Sequence, residues 1–216
     1  MRRGAEQPGG KAASPRHTLA QSFRWAFAGL SGAALRERNM RIHLALGVLA
    51  SGAAALLPLD GGERGLLLLT VALVVAGEAA NSALEAVVDL VSPTFSAAAR
   101  LAKDAAAAAV LVLACGSVVV LLSVALPALP VLRGRLFSFG VGSAGAFVAS
   151  VAAGLLPSPP PRPFAVDAVL FLAGVAGIAV LARSARGLSG VFGAALLLAL
   201  SAGAAVRRRR GVDLDS

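Results

Sequence analysis

The chain has 216 residues, of which 57% are hydrophobic and only 14% are charged, and its mean hydropathy is +0.81. This composition excludes an ordinary soluble globular domain and predicts an integral membrane protein. The net charge of +9 comes from basic residues that flank apolar runs, which favours contact with lipid headgroups and predicts no nucleic-acid partner. Because each crossing segment must satisfy its own backbone hydrogen bonds, we expect an all-α fold.

The N-terminal region divides into a tail and a surface helix. Residues 1–17 are polar, rich in Gly, Pro and Ala, and lack the apolar core of a signal peptide, so we expect a disordered basic cytoplasmic tail. In residues 18–38 the apolar side chains recur at helical spacing, with Arg24, Arg36 and Arg38 among them. This pattern predicts an amphipathic helix in the membrane interface.

Three membrane spans are expected next, at about residues 42–59, 64–90 and 97–126. The first is closed by Pro58 and the turn at residues 60–62, the second ends before Pro93, and the third ends at Pro127, since proline and its predecessor disfavour further helix. Pro127 and Pro130 thus predict a domain boundary. The first domain is expected to comprise residues 18–126.

Three further spans are expected in residues 127–206, at about 136–156, 164–182 and 188–206. The segment PSPPPRP at 157–163 predicts a stiff extended linker, and residues 207–216 predict a basic tail. Six spans would return this tail to the cytoplasmic side of the N-terminus. Four arginines would then face outward, which weakens the positive-inside argument: Arg133, Arg135, Arg183 and Arg186.

A polar stripe interrupts the second span. Glu78, Asn81, Glu85 and Asp89 project within roughly 80° of one another at 100° per residue. A charge near the bilayer centre costs about 2.5–3.5 kcal/mol on insertion scales, so such a stripe predicts a partner, a metal ion or a wet cavity.

Further charged residues are expected at the membrane level of the stripe, namely Glu37, Lys103 and Asp104. Carboxylates suit Mg²⁺ that shares its shell with substrate phosphates, a lysine can hold phosphate, and a desolvated carboxylate can accept a hydroxyl proton. The set predicts phosphoryl transfer to a lipid alcohol. Taken singly, each residue has a plainer interpretation: a glutamate as a headgroup-level charge, Asn81 as an interhelical contact, Asp89 as a cap, and Lys103 with Asp104 as an interfacial ion pair.

The sequence resembles the small prokaryotic diacylglycerol and undecaprenol kinases, which are three-span trimeric membrane enzymes. The similarity covers roughly residues 18–126 and rests on four segments: SFRWAFAGL at 22–30, RERNMRIHLALG at 36–47, GEAANSALEAVVDLV at 77–91 and RLAKDAAAAAVLV at 100–112.

The resemblance implies a role for each matching residue. Glu78 is implied as the catalytic base, with Asn81 beside it, and Glu37 and Glu85 as the Mg²⁺ ligands that bring in ATP. Lys103 would hold phosphate, Asp104 would help to fix the nucleotide, and Asp89 would steady the loop to the third span. Ser22 and Trp25 fall where the nucleotide pocket of the family begins.

The resemblance further implies a homotrimer in the bacterial cytoplasmic (inner) membrane, with a cytoplasmic N-terminus. ERNMRIH, residues 37–43, resembles the undecaprenol-kinase branch more than the diacylglycerol-kinase branch. Undecaprenol is therefore the favoured substrate over diacylglycerol.

The last ninety residues extend beyond the family pattern. FSFGVGSAGAF at 137–147 faintly resembles a lipid-phosphatase signature, but the histidine of that signature is missing. We expect a non-catalytic bundle, either a degenerate phosphatase-like unit or a packing module. Two other functions stay open for the whole chain: an intramembrane-carboxylate ion transporter and a catalytically inactive membrane scaffold.

Overall fold

A computed structural model describes residues 18–210 of the chain, which form seven α-helices and one short 3₁₀ turn. The helices are α1 (Leu19–Arg36), α2 (Arg38–Leu56), α3 (Gly61–Val91), α4 (Ala97–Leu132), α5 (Leu136–Leu155), α6 (Phe164–Ser184) and α7 (Leu188–Arg209), and the turn is Arg133–Arg135. The described residues contain no strand, which confirms the predicted all-α class. The predicted tail at residues 1–17 lies outside the described residues.

Side-chain caps explain where several helices begin. The Asp60 carboxylate accepts from the Glu63 backbone N–H at 2.8 Å, and Glu63 accepts from the Asp60 N–H at 2.9 Å. Thr18 and Gln21 form the same reciprocal box at the start of α1, and Ser96 caps α4. These caps satisfy backbone donors that have no partner inside the helix, so the short polar segments between the apolar runs fix the helix starts.

Five segments of the described chain are long and apolar enough to cross a membrane. The predicted number was six, and the difference arises at Ala97–Leu155, a single segment that contains α4, the turn and α5. The two helices run in opposite directions. Leu132, at the end of α4, clusters with Leu57 and Leu59 after the end of α2. By contrast, a Cβ atom at Gly154, near the end of α5, would lie 3.8 Å from the carbonyl oxygen of Arg41 near the start of α2.

The predicted end of the third span at Pro127 is wrong. α4 continues through Pro127 and Pro130 to Leu132, so the predicted domain boundary falls inside a helix. Proline is tolerated within membrane helices because neighbouring groups and local adjustments satisfy the freed carbonyls.

The centre of the bundle is α2, which is flanked by α3, α5 and α7. Met40, Leu44 and Val48 on α2 are fully buried. On α5 and α6 the backbones approach closely, since a Cβ atom at Gly145 would lie 2.5 Å from the Gly177 carbonyl oxygen. Small residues also pack α7 onto α2, since a Cβ atom at Gly190 would lie 2.5 Å from the Ser51 carbonyl oxygen.

Because the helices alternate in direction, the residues of the predicted site lie at one face of the bundle. We call this face the α1 side; α1 lies there, and so do the start of α2, the end of α3, the start of α4 and the end of α7. Arg207 at the end of α7 donates to the Ala28 carbonyl of α1. Gly203, one turn earlier, lies directly against the Phe27 ring.

The predicted basic tail begins later than expected. Arg207 to Arg209 belong to α7, and Arg208 and Arg209 bind the buried Asp167 of α6 at 2.8 and 2.5 Å. The tail prediction is wrong for these three residues because Asp167 and backbone carbonyls hold them against the fold. Residues 211–216 lie outside the described residues.

Candidate active site

The polar stripe of α3 passes from buried to exposed toward the end of the helix. Glu78 is 2% exposed and Asn81 is 7% exposed, whereas Glu85 is half-buried and Asp89 is exposed. A charged group is costly to bury without partners. The buried end of the stripe is therefore where a functional explanation is most needed.

Glu78 and Asn81 line a cavity of about 280 Å³ between α2, α3 and α4, together with Asn39 and His43 of α2. Gly77 permits this close approach of α4, because a Cβ atom there would lie 2.7 Å from the Leu113 side chain. The cavity is polar on the α2 and α3 walls and apolar on the α4 wall.

The hydrogen bonds inside the cavity are incomplete. Asn81 Nδ2 donates to Glu85 Oε1 at 2.9 Å, but Asn81 Oδ1 is buried without a partner. Among residues 18–210 no hydrogen bond reaches the Glu78 carboxylate, although the Ser82 hydroxyl donates to the Glu78 backbone carbonyl at 3.0 Å. Two acceptor groups are thus available to a hydroxyl or another donor that enters the cavity.

Glu37 and Glu85 are the acidic groups that act electrostatically on Glu78. Glu37 joins α1 to α2, and Arg41 holds this junction by donating to the Ala34 and Leu35 carbonyls. Glu37 is therefore close enough to the α3 stripe for its charge to act on Glu78.

The acidic side chains near the cavity are hard oxygen donors of the kind that Mg²⁺ prefers. No group of three or more His, Cys, Asp or Glu side chains in residues 18–210 is arranged to hold a metal ion. Mg²⁺ is usually bound by one or two carboxylates, with water and substrate phosphates completing the shell. The described side chains alone therefore do not complete a metal site.

The predicted phosphate and nucleotide residues lie at the start of α4. Lys103 Nζ binds the Asp89 carboxylate at 2.5 Å. This ion pair joins the end of α3 to the start of α4 across the loop between them. Asp104 forms an ion pair with Arg100 at 3.6 Å, and both side chains are largely exposed. Exposed pairs of this kind contribute little to stability, so these groups can exchange partners.

Ser22 and Trp25 are not brought into the cavity. Both are exposed on α1, where the Ser22 hydroxyl donates to the Thr18 carbonyl at 3.4 Å.

The sequence interpretation missed Asn39 and His43 as cavity residues. Their spacing of four residues on α2, directly after Glu37, is the signal that could have placed them on one helix face.

Comparisons with known proteins agree with the predicted resemblance. Residues 24–125 match the family model described as prokaryotic diacylglycerol kinase. Over 103 residues the chain is 47% identical to a protein named diacylglycerol kinase from Synechocystis sp. (strain ATCC 27184 / PCC 6803 / Kazusa), a stretch that covers 47% of this chain and 59% of that relative. The chain thus spans about three fifths of the length of this curated relative. No solved structure matches the chain significantly.

The family match has a clear limit along the chain. It ends within α4, so the helices α5, α6 and α7 lie beyond it. The predicted resemblance is confirmed for the first half of the molecule.

Proposed function

We propose, from the match of residues 24–125 to the prokaryotic diacylglycerol kinase family, that the chain is a membrane lipid kinase. It transfers the γ-phosphate of ATP to the hydroxyl of a lipid alcohol, undecaprenol or diacylglycerol. The products are the lipid phosphate and ADP.

The observation that carries this proposal is the buried Glu78 carboxylate, which lines a cavity with Asn81 and has no hydrogen-bond partner among the described residues. In the proposed reaction Glu78 accepts the proton of the lipid hydroxyl as its oxygen attacks the γ-phosphorus and the bond to the bridging oxygen of ADP breaks. A positioned base of this kind contributes about 10²–10⁴ in rate. Asn81, with its unpaired carbonyl oxygen, orients the hydroxyl beside Glu78.

Glu37 and Glu85 would hold Mg²⁺, and Lys103 would hold the ATP phosphates. When bound, the cation neutralises charge on the phosphate oxygens. Lys103 is suited to its role because its partner Asp89 is exposed, and a nucleotide phosphate can compete for the ammonium group. Asp104, Ser22 and Trp25 are proposed as nucleotide contacts on the resemblance alone.

The distribution of basic residues favours a cytoplasmic α1 side. The opposite side carries Arg64, Arg133, Arg135, Arg183 and Arg186. The α1 side carries a larger set: Arg24, Arg36, Arg38, Arg41, Arg100, Lys103, Arg162 and Arg207 to Arg210. By the positive-inside rule, the N-terminus and the site face the cytoplasm, and we assign the protein to the bacterial inner membrane.

A homotrimer is proposed from the family resemblance. The outer position of α4 is compatible with it, since only four residues of this long helix are buried, namely Val110, Val124, Ala128 and Leu132. The remaining apolar surface of α4 is available to lipid or to a further copy of the chain.

The test is transfer of labelled γ-phosphate from Mg-ATP to undecaprenol or diacylglycerol in mixed micelles. Glu78→Gln keeps the shape of the side chain and is expected to lower kcat by about 10²–10⁴. Glu63→Gln is the matched control on the same helix, since glutamine also serves in a capping box, and it should leave kcat unchanged. Near-normal turnover by Glu78→Gln would exclude the base assignment. A wild-type protein that phosphorylates neither lipid would contradict the kinase and leave ion transport or a scaffold role.

A further inference from the structure

A second and larger cavity of about 700 Å³ runs between α1, α3 and α7. We call it the chain groove. Its walls are almost entirely apolar, and its polar members are only Arg36, Ser51 and Ser82. On α3 its lining residues, such as Ala79 and Ala83, lie roughly 100° around the helix from the Glu78 stripe. The chain groove is therefore separate from the cavity that contains Glu78.

The length of the chain groove exceeds one leaflet of a bilayer. On α3 it extends from Leu68 to Ala86, which is about 27 Å along the helix axis at 1.5 Å per residue. A hydrocarbon core is about 30 Å thick, so one leaflet accounts for roughly 15 Å. A hydrocarbon chain that fills the groove from its α1-side end must pass the bilayer midplane.

The part of the groove beyond the midplane depends on α7, which lies outside the family match. Gly193 lies at the level of Leu68, since a Cβ atom on Gly193 would be 3.2 Å from the Leu68 side chain. Leu197 lies at the level of Val71, because a Cβ atom added to Gly47 of α2 would contact the side chains of both residues. The deep half of the groove thus has α3 and α7 as its walls, with Ser51 of α2 at the level of Gly193.

The α1-side half of the groove is covered by α1, which α7 also holds in place. Phe27 packs against Gly203, and Arg207 donates to the Ala28 carbonyl. At the mouth, Arg36 is exposed and forms no ion pair within residues 18–210. It adjoins Glu37 in sequence, and its charge complements the phosphate of a phosphorylated lipid.

We propose that the chain groove holds the hydrocarbon chain of the lipid substrate and that α7 selects a single chain longer than one leaflet, as in a polyprenyl alcohol. The inference rests on the proposed kinase function. The two chains of a diacylglycerol lie side by side within one leaflet, so they leave the deep half unfilled. The helices after α4 then have a role in substrate choice.

The deep wall can be blocked without touching the Glu78 cavity. Leu196 of α7 lines the groove, is 63% exposed, and lies about 22 Å from the mouth, at the level of Val71. Leu196→Trp fills the deep half. Leu172→Trp is the matched control, because Leu172 of α6 is 64% exposed and does not line the groove.

Initial rates with undecaprenol and with diacylglycerol are measured for the full-length wild type and both variants. We expect Leu196→Trp to raise KM for undecaprenol about tenfold or more and to leave KM for diacylglycerol within about twofold. Leu172→Trp should change neither. Equal effects of Leu196→Trp on both lipids, or no effect on either, would overturn the inference.

A binding measurement separates this inference from the proposed function. Radiolabelled undecaprenol is bound to the same proteins in detergent micelles without ATP. Weaker binding by Leu196→Trp alone supports the groove even if no phosphate is transferred, in which case only the kinase proposal fails. Equal binding by all three proteins contradicts the groove.

Discussion

Loss of the Asp167 carboxylate should strongly destabilise the C-terminal half of the fold. Its side chain is 7% exposed and pairs with Arg208, which is 10% exposed, and with Arg209. Asp167 accepts from Arg208 Nη2 at 2.8 Å and from Arg209 Nε at 2.9 Å. These contacts join the start of α6 to the end of α7.

Asp167→Ala leaves the Arg208 guanidinium buried with no counter-ion, although its bond to the Ser158 carbonyl persists. Removing one partner of a buried pair costs about 3–5 kcal/mol. Since 1.4 kcal/mol is a factor of ten, the unfolding equilibrium constant should rise by roughly 10² to 4 × 10³. Arg209 is less buried and can turn its charge toward water, so it contributes less to the cost.

The assay is reversible unfolding of the purified protein by sodium dodecyl sulfate in mixed micelles, followed by circular dichroism. Arg100→Ala is the control, because its pair with Asp104 is exposed and should contribute no more than about 1 kcal/mol. The double variant Asp167→Leu with Arg208→Met removes both buried charges and should recover most of the lost stability. Asp167→Ala within about 1 kcal/mol of wild type, or a double variant as unstable as the single one, would refute the reasoning.

Three further predictions concern packing, phosphate binding and the metal. Gly145→Ala should lower the free energy of unfolding by about 1–3 kcal/mol, since its Cβ would lie 2.5 Å from the Gly177 carbonyl oxygen. Gly140→Ala is the control, because a Cβ atom there meets nothing within 4 Å. It should show no such loss in the same unfolding assay. Lys103→Met should raise KM for ATP about tenfold or more. Its melting temperature should stay near that of wild type, because the partner carboxylate of Asp89 is 66% exposed and can be solvated on its own. A lower melting temperature with unchanged KM would indicate a structural role alone. Removal of divalent cations with EDTA should abolish phosphate transfer, and added Mg²⁺ should restore it. The helical circular dichroism signal should stay unchanged throughout. Phosphate transfer that survives EDTA would contradict a metal ion at Glu37 and Glu85.

Much of the site could be predicted from the sequence because its residues share one helix. The spacing of Glu78, Asn81 and Glu85 alone places them on one face, and the structure adds that Asn81 donates to Glu85. The short loop between the second and third spans was enough to predict the depth of Lys103 in the membrane. The sequence did not predict that Lys103 pairs with Asp89, because Asp104 was an equally near partner by spacing.

Other features depended on contacts that no local pattern encodes. Pro127 predicts a helix end because proline has no backbone N–H and its ring clashes with the preceding turn. α4 nevertheless continues to Leu132, because neighbouring groups and local adjustments in a membrane helix satisfy the freed carbonyls. The run Arg207 to Arg210 has the composition of a free tail, yet Asp167, about forty residues earlier in the chain, draws Arg208 and Arg209 against α6.

The sequence by itself determined that the chain is a helical membrane protein, where most spans begin and end, and which residues share the polar face of α3. These properties are local, since each helix in a membrane must satisfy its backbone hydrogen bonds within its own segment. The tertiary structure decided that α7 packs on α1 and forms a wall of the chain groove, and that α5 meets α6 at paired glycines. Hydropathy varies little around α5, α6 and α7, so the complementary shapes of distant segments determine which of their faces meet.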